Sequence, residues 1–228
     1  MNEQRVALRQ RRDLSEIIQA AITLYTQNFR PLFLIATLAI PLGIASAVAV
    51  DSATDPDATT ALLALFLFAQ LVVDIIVIAA LIVALQRIDA GQPSEFGQAY
   101  DDAFARLTPL FGSAIRVVFH VMLLAITIIG IPWAIQRTVR WLFVEQAVIL
   151  DGARARESLA RSALAVEGSW WRTLAVVLVV SVIAAFPGFA LSGMFLFAPV
   201  LVSGTVGSVA AAAMLPFRTI ALTMLYWT

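Results

Sequence analysis

Residues 61–88 read ALLALFLFAQLVVDIIVIAALIVALQRI, and this apolar stretch decides the class of fold. An α-helix needs about 20 predominantly apolar residues to cross the hydrocarbon core of a bilayer. Because the stretch exceeds that length and carries charges only at Asp74 and Arg87, it predicts a transmembrane helix. The 228-residue chain is 61% hydrophobic and 13% charged, whereas a soluble domain has about half and about a quarter.

Apolar runs on both sides of this stretch predict about six crossings, and therefore an all-α integral membrane protein. We expect a cytoplasmic leader over residues 1–30 and a helical membrane domain over 31–228. Gly130 and Pro132 predict a tight reversal between the third and fourth spans, and one long helix through Pro132 is the less favoured alternative. The spans are predicted at about 31–50, 61–88, 110–131, 133–150, 173–190 and 199–226.

Three amphipathic helices are predicted outside the spans, where apolar residues recur at helical spacing. The first follows a capping box at Asp13 and Glu16. We expect it either in the membrane interface or packed on the chain's own cytoplasmic face. The second covers about 96–107. The third lies within 151–172, and its apolar face is predicted to carry Leu159, Ala163 and Val166.

Paired indoles and arginines flank the third amphipathic helix and the start of the fifth span. Tryptophan and arginine at the end of a membrane span anchor the helix at the level of the lipid headgroups. Alternatively, an arginine here holds a lipid phosphate in the cytoplasmic leaflet. The candidate lipid-headgroup contacts are Arg154, Arg156, Trp170, Trp171 and Arg172. Within the helix, Glu157 and Arg161 have the i,i+4 spacing of a favourable ion pair.

The distribution of arginine predicts the orientation of the chain. Segments 1–30, 87–108 and 151–172 contain five, two and four arginines, whereas the connections 51–60 and 130–133 contain none. With about six spans, the three arginine-rich segments fall on one side, which the positive-inside rule assigns to the cytoplasm. We therefore expect both termini in the cytoplasm.

Ionisable residues inside the predicted spans form a candidate buried polar cluster, because charges at such depth normally pair or line a wet cavity. Arg116 is expected to pair with Glu145, and Asp74 with His120 or Arg140. In a functional interpretation, the cluster lines a polar cavity between spans two, three and four that binds an anionic group or relays protons. In a structural interpretation, its ion pairs only fix the register of the helices. The cluster comprises Asp74, Arg116, His120, Arg137, Arg140 and Glu145. Arg218 also lies in an apolar run, in the sixth span.

Two sequence features bear on catalysis. The chain has one histidine and no cysteine, so no metal site or cofactor site is predicted. Residues 151–156 match the opening of the signature of CDP-alcohol phosphatidyltransferases. That chemistry needs later aspartates to hold divalent metal, but Ser169 and Thr173 stand at those positions. We therefore predict no catalytic residues.

Much of the chain resembles a bacterial family, the membrane domain found beside glycerophosphodiester phosphodiesterase barrels and also as stand-alone proteins. The resemblance rests on Pro132, Arg140, the runs 148–152, 157–162 and 167–172, the leader residues Leu24, Tyr25, Asn28 and Phe29, and the terminal Leu225 and Tyr226. This chain lacks the glycine that usually follows Pro132, and it has Asp151 where glutamate is usual. It also lacks the catalytic barrel, so the resemblance carries no phosphodiesterase activity.

These observations lead to three functional hypotheses. The resemblance implies a multi-pass protein of the bacterial inner membrane, and we expect a non-enzymatic scaffold or accessory subunit. The alternatives are a small transporter or channel that uses the buried charges and, least favoured, an intramembrane lipid-modifying enzyme. The expected partners are the lipid bilayer and either another membrane protein or a second copy of the chain. A formal net charge of zero predicts no nucleic-acid partner.

Overall fold

The computed structural model describes residues 12–127, 130–154, 156–195 and 197–228. In these ranges the regular secondary structure is entirely helical, which confirms the predicted all-α class. The helices are α1 (Leu14–Gln27), α2 (Phe29–Ala36), α3 (Ile40–Ser52), α4 (Pro56–Asp89), α5 (Phe96–Phe104), α6 (Leu107–Ala125), α7 (Ile131–Arg140), α8 (Val144–Asp151), α9 (Arg156–Val166), α10 (Trp170–Met194) and α11 (Val200–Tyr226), with a 3-10 turn at Thr37–Ala39 between α2 and α3.

Five helical segments are long and apolar enough to cross a membrane: α2 with α3, then α4, α6, α10 and α11. Their surfaces are apolar as well. Leu67 on α4, Phe119 on α6 and Phe186 on α10 are 70%, 63% and 68% exposed. Exposed apolar surface on this scale is unfavourable in water and marks contact with another apolar phase. The protein is therefore an all-α membrane protein.

The predicted fourth span, 133–150, is not a continuous helix in the structure. It is replaced by α7 and α8, with a turn at Trp141–Phe143 between them. The two helices have 10 and 8 residues, and at 1.5 Å per residue neither crosses a bilayer. Arg137 and Arg140 lie in the last turn of α7, so this stretch is less apolar than the other predicted spans.

The alternative of one helix through Pro132 is wrong as well. Helix α6 ends at Ala125 and α7 begins at Ile131, and Pro132 lies in the first turn of α7. A proline is tolerated in that position because the first-turn amides have no intrahelical acceptor. Helices α6 and α7 pack against each other, as the predicted reversal requires.

Helix α11 packs against α3, α4 and α10, and α3 also packs against α4. We call this group of four helices the four-helix bundle. Helix α11 approaches α3 closely because both have small residues at the contact. A Cβ atom built on Gly204 would lie 2.6 Å from the Cβ of Ala47, and one on Gly43 would lie 2.3 Å from the Oγ of Ser208. The small residues of the last span therefore serve packing within the chain.

Helix α1 packs along α11. Its predicted capping box is present, with the backbone N–H of Asp13 donating to Glu16 at 2.9 Å. Arg12 contacts the sulfur of Met224 at 3.4 Å, and the Tyr25 hydroxyl donates to the carbonyl of Ala213 at 2.6 Å. Burial raises the pKa of Tyr25 to about 12, so this hydroxyl remains a donor at neutral pH. The structure thus favours packing on the chain over a purely interfacial helix.

The buried core lies towards one end of the bundle. On α4 the buried residues fall between 75 and 85, and on α11 between 210 and 225, so the first half of each helix is largely uncovered. Helices α1, α5 and α8 pack around the covered halves. Helix α4 has 34 residues and is about 51 Å long, so it extends beyond a bilayer about 30 Å thick.

Helices α6 to α9 form a separate layer at this same end. Helix α6 packs mainly on α7, α8 and α9. At the end of α11, the Tyr226 hydroxyl donates to Asp151 at 2.5 Å. At the start of α10, Trp170 and Trp171 line one groove with Pro132 and Trp133. The predicted topology had separated Pro132 and Trp170 by a membrane span, and the structure instead brings them together.

The buried face of α9 also differs from the prediction. Ser158, Ser162 and Val166 are buried, whereas Leu159 and Ala163 are only partly buried. Serine is tolerated on this face because both hydroxyls find hydrogen-bond partners inside the protein.

The predicted ion pair on α9 is present. Arg161 binds Glu157 at 2.7 Å and Asp151 at 3.3 Å. The hydrogen bond with Glu157 and then that with Asp151 raise the pKa of Arg161, and Asp151 in turn joins this pair to Tyr226. The contacts connect the start of α9 with the end of α8.

Candidate functional site

A cavity of about 880 Å³ is lined by all four helices of the four-helix bundle. Most of its wall is apolar or small, with residues such as Ala47, Leu63, Ala184 and Gly204. Gln70, Asp74 and Arg218 contribute polar groups to the same wall. This bundle cavity therefore combines apolar surface with a small group of charged side chains, which is typical of a ligand pocket.

The three polar side chains come from two helices at matching depth. Helices α4 and α11 run in the same direction, because α3 packs antiparallel to both. Asp74 lies about 27 Å along α4 from Pro56, and Arg218 about 27 Å along α11 from Val200. Both side chains line the bundle cavity, which places them at a similar level of the bundle.

Arg218 is the most available charge of the bundle cavity. Its side chain is exposed and interacts electrostatically with Asp74 and with Glu145 of α8. None of the ion pairs in the described ranges involves Arg218. The guanidinium, which has five N–H donors, can therefore donate hydrogen bonds to a ligand in the cavity.

Asp74 has a nearer partner on its own helix. The side-chain amide of Gln70 donates to the Asp74 carboxylate at 2.9 Å, which fixes the carboxylate one turn along α4. Asp74 is only partly buried and retains further acceptor positions. The polar part of the cavity thus presents an anionic acceptor and a cationic donor next to each other.

The structure divides the predicted buried cluster between two places. Asp74 and Glu145 lie near Arg218, whereas Arg116, His120 and Arg137 are exposed on α6 and α7. The predicted contacts of Arg116 with Glu145, and of Asp74 with His120 or Arg140, do not occur among the ion pairs of the described ranges. The break between α7 and α8 separates these residues.

The exposed members of the cluster have local partners around Trp141. His120 packs edge-on against this indole with ring centroids 5.6 Å apart, and its Nδ1 lies 2.7 Å from the carbonyl oxygen of Arg116. The Arg137 guanidinium lies 5.2 Å from the same ring, a cation–π geometry. The carbonyl of Arg140 accepts a hydrogen bond from Ser162 at 2.9 Å. These contacts connect α6, α7 and α9.

The five candidate lipid-headgroup contacts also separate. Trp170 and Trp171 form an edge-on pair with centroids 4.6 Å apart. Arg172 donates to the carbonyl of Arg12 at 2.5 Å, which ties the start of α10 to the residue preceding the capping box. Arg156 is the first residue of α9, Arg154 precedes the helix, and both are exposed. Of these five residues, Arg154 lines a cavity that other arginines also line.

Sequence reasoning missed the composition of the bundle cavity. Gln70 precedes Asp74 by one helical turn, and that spacing was a readable signal of a hydrogen-bonded pair. Arg218 stood out as a charge in an apolar run, but nothing in the sequence indicates that α11 lies beside α4. Within the described part of the chain, no group of three histidine, cysteine or acidic residues is placed to hold a metal ion.

Comparisons of this chain with known protein families, with curated proteins and with solved structures find no match.

Proposed function

We propose that the protein is a non-enzymatic membrane protein that binds a zwitterionic lipid or similar amphiphile in the bundle cavity. The observation that carries the proposal is the position of Arg218, which lies beside Asp74 in an otherwise apolar cavity and has no ion pair in the described ranges. An anionic head-group oxygen would accept from Arg218, and an ammonium group would donate to Asp74. This role gives the predicted scaffold or accessory subunit a specific ligand.

The remaining surface of the cavity supports an apolar tail. Small residues of α3 and α11, including Ala47 and Gly204, line part of the cavity, and Leu63 and Phe66 of α4 add apolar surface. The volume of about 880 Å³ lies within the range of about 300–1,000 Å³ for small-molecule pockets. It therefore accommodates a head group with part of an acyl chain, while the rest of the chain extends into lipid.

We test the proposal with the full-length protein in nanodiscs that contain phosphatidylethanolamine and phosphatidylglycerol. Native mass spectrometry should show retained phosphatidylethanolamine on the wild type. Arg218→Gln should reduce that retention roughly tenfold, because a charge-assisted hydrogen bond is worth about 1.5–3 kcal/mol. Arg30→Gln, which removes an exposed arginine that does not line the cavity, is the matched control. Equal retention by the wild type and Arg218→Gln would refute the proposal.

A second variant separates loss of the ligand from loss of the fold. Ala211→Leu adds bulk to a lining residue that is exposed, and it leaves all charges in place. It should also reduce retention, with unchanged helix content by circular dichroism. The transporter alternative uses the same cavity, and lipid flux between the leaflets of proteoliposomes would favour it over binding alone.

We further propose that the membrane is the bacterial inner membrane and that both termini face the cytoplasm. The asymmetric distribution of arginine supports this orientation. The contact of Arg12 with Met224 supports it as well, because it places the two ends of the described chain at one end of the bundle. The proposed relation to the membrane domain beside glycerophosphodiester phosphodiesterases rests on the sequence resemblance alone. A membrane-protein partner or a second copy of the chain remains part of the proposal.

A further inference from the structure

A second cavity, of about 610 Å³, lies where the junction of α5 and α6 meets the connection between α8 and α9. Three arginines line it: Arg106 at the start of α6, Arg116 three turns further along that helix, and Arg154 in the connection. No aspartate or glutamate is among the described residues of its wall. This arginine cavity therefore concentrates positive charge that its own wall does not neutralise.

The nearby carboxylates already have other partners. Asp151 lies next to the connection but binds Arg161 at 3.3 Å and Tyr226 at 2.5 Å. Asp102, on α5, binds Arg87 at 2.8 Å. Arg116 donates only to the carbonyl of Gly112, at 2.8 Å, and none of the ion pairs in the described ranges includes an arginine of the cavity.

We infer that the arginine cavity binds a phosphate group. Three guanidinium groups close together repel one another, and a doubly charged oxyanion relieves that repulsion. Arginine matches phosphate particularly well, because its planar fork donates two parallel hydrogen bonds to two oxygens. The start of the 19-residue helix α6 lies at the same cavity, and the positive end of its helix dipole also favours an anion there.

The phosphate belongs either to a membrane phospholipid or to a soluble phosphorylated molecule, and the recognising chemistry is the same for both. The volume of about 610 Å³ exceeds that of a phosphate alone, so the group attached to the phosphate also has room. The cavity shares no lining residue with the bundle cavity, so this inference does not depend on the proposed function.

The test uses the full-length protein and one probe for each source. For the soluble source, inorganic phosphate is titrated into detergent-solubilised protein in a calorimeter. For the lipid source, the protein is placed in nanodiscs of phosphatidic acid and phosphatidylcholine, and native mass spectrometry measures the phosphatidic acid that it retains. The variant R106Q/R116Q/R154Q should weaken binding of at least one probe tenfold or more, because it removes several charge-assisted hydrogen bonds. Arg30→Gln, which removes an exposed arginine of α2 that does not line the cavity, should bind as the wild type does.

Each result has a defined meaning. Binding of inorganic phosphate that the triple variant loses supports the inference with a soluble source. Retention of phosphatidic acid alone, lost in the triple variant, supports it with a lipid source. If the wild type binds neither probe, if the triple variant binds as well as the wild type, or if Arg30→Gln loses as much binding as the triple variant, the inference is overturned.

A single variant keeps the test decisive if the triple variant does not fold. Arg154 lies in the non-helical connection between α8 and α9, so Arg154→Gln leaves the helices intact. Circular dichroism should show wild-type helix content, and binding should still weaken. Unchanged binding by a folded Arg154→Gln protein would overturn the assignment of Arg154 to the site.

Discussion

Ser162 is the residue that holds the break between α7 and α8. It is fully buried, and its hydroxyl donates to the carbonyl of Arg140 at 2.9 Å. The same oxygen accepts from the backbone N–H of Phe143 at 3.0 Å. One side chain from α9 therefore satisfies two backbone groups that a continuous helix would have paired internally.

Ser162→Ala is expected to destabilise the protein by about 1–3 kcal/mol, because it leaves a buried N–H and a buried carbonyl without this partner. The measurement is thermal unfolding in detergent, followed by circular dichroism. Ser52→Ala is the control, since Ser52 is exposed and binds only the carbonyl of Ala49 within its own helix. A Ser162→Ala protein as stable as Ser52→Ala would show that the turn does not depend on this hydroxyl.

The same residue explains why the predicted fourth span is wrong. Helix formation over an apolar run is a local property, because the backbone satisfies its own hydrogen bonds within the segment. A turn at 141–143 depends on Ser162, which comes from another helix and is not adjacent in sequence. Such a contact has no periodic signal, whereas the uninterrupted run at 61–88 predicts α4 without knowledge of its neighbours.

At the scale of helices, the contact between α3 and α11 requires that only one of two facing residues has a methyl side chain. Gly204 faces Ala47, and a Cβ at position 204 would lie 2.6 Å from the Cβ of Ala47. Real Cβ atoms do not approach so closely, so the helices would have to move apart. Close approach of this kind is how helices associate in membranes, where dispersion contacts replace the hydrophobic effect.

Gly204→Ala is therefore expected to destabilise the protein by about 1–3 kcal/mol through overpacking, measured by thermal unfolding in detergent. The double variant A47G/G204A moves the methyl group from one helix to the other and should recover most of the lost stability. Gly193→Ala is the control, because a Cβ there meets no atom within 4 Å. Failure of the double variant to recover stability would mean that the two residues do not oppose each other.

The sequence does not show which helices are neighbours, and this limits how much of the candidate site can be predicted from it. Asp74 and Glu145 are recognisable as charges in apolar runs, and both lie near Arg218. Arg116 and His120 are equally recognisable, yet they lie on a different layer. The difference is set by which helices are neighbours, and that follows from packing over the whole chain rather than from any local pattern.

At the scale of the whole molecule, the structure consists of a four-helix bundle with lipid-exposed walls and a helical layer at one end. The layer contains three of the eleven arginines that predict the cytoplasmic side, Arg154, Arg156 and Arg161. It also contains residues 131–133, part of the connection 130–133 that the sequence predicts on the opposite face of the membrane. The central claim is therefore that α7 begins on the same side of the membrane as α10, and this requires that α6, although long and apolar enough to cross a membrane, does not cross it.

Accessibility of single cysteines tests that claim directly, because the chain has no cysteine of its own. Cysteines are introduced in turn at exposed positions by Gln136→Cys on α7, Glu167→Cys after α9 and Asp55→Cys between α3 and α4. Each variant is labelled with a membrane-impermeant maleimide in right-side-out and in inverted vesicles. We expect positions 136 and 167 to be labelled from one side and position 55 from the other. Labelling of positions 136 and 55 from the same side would contradict the account.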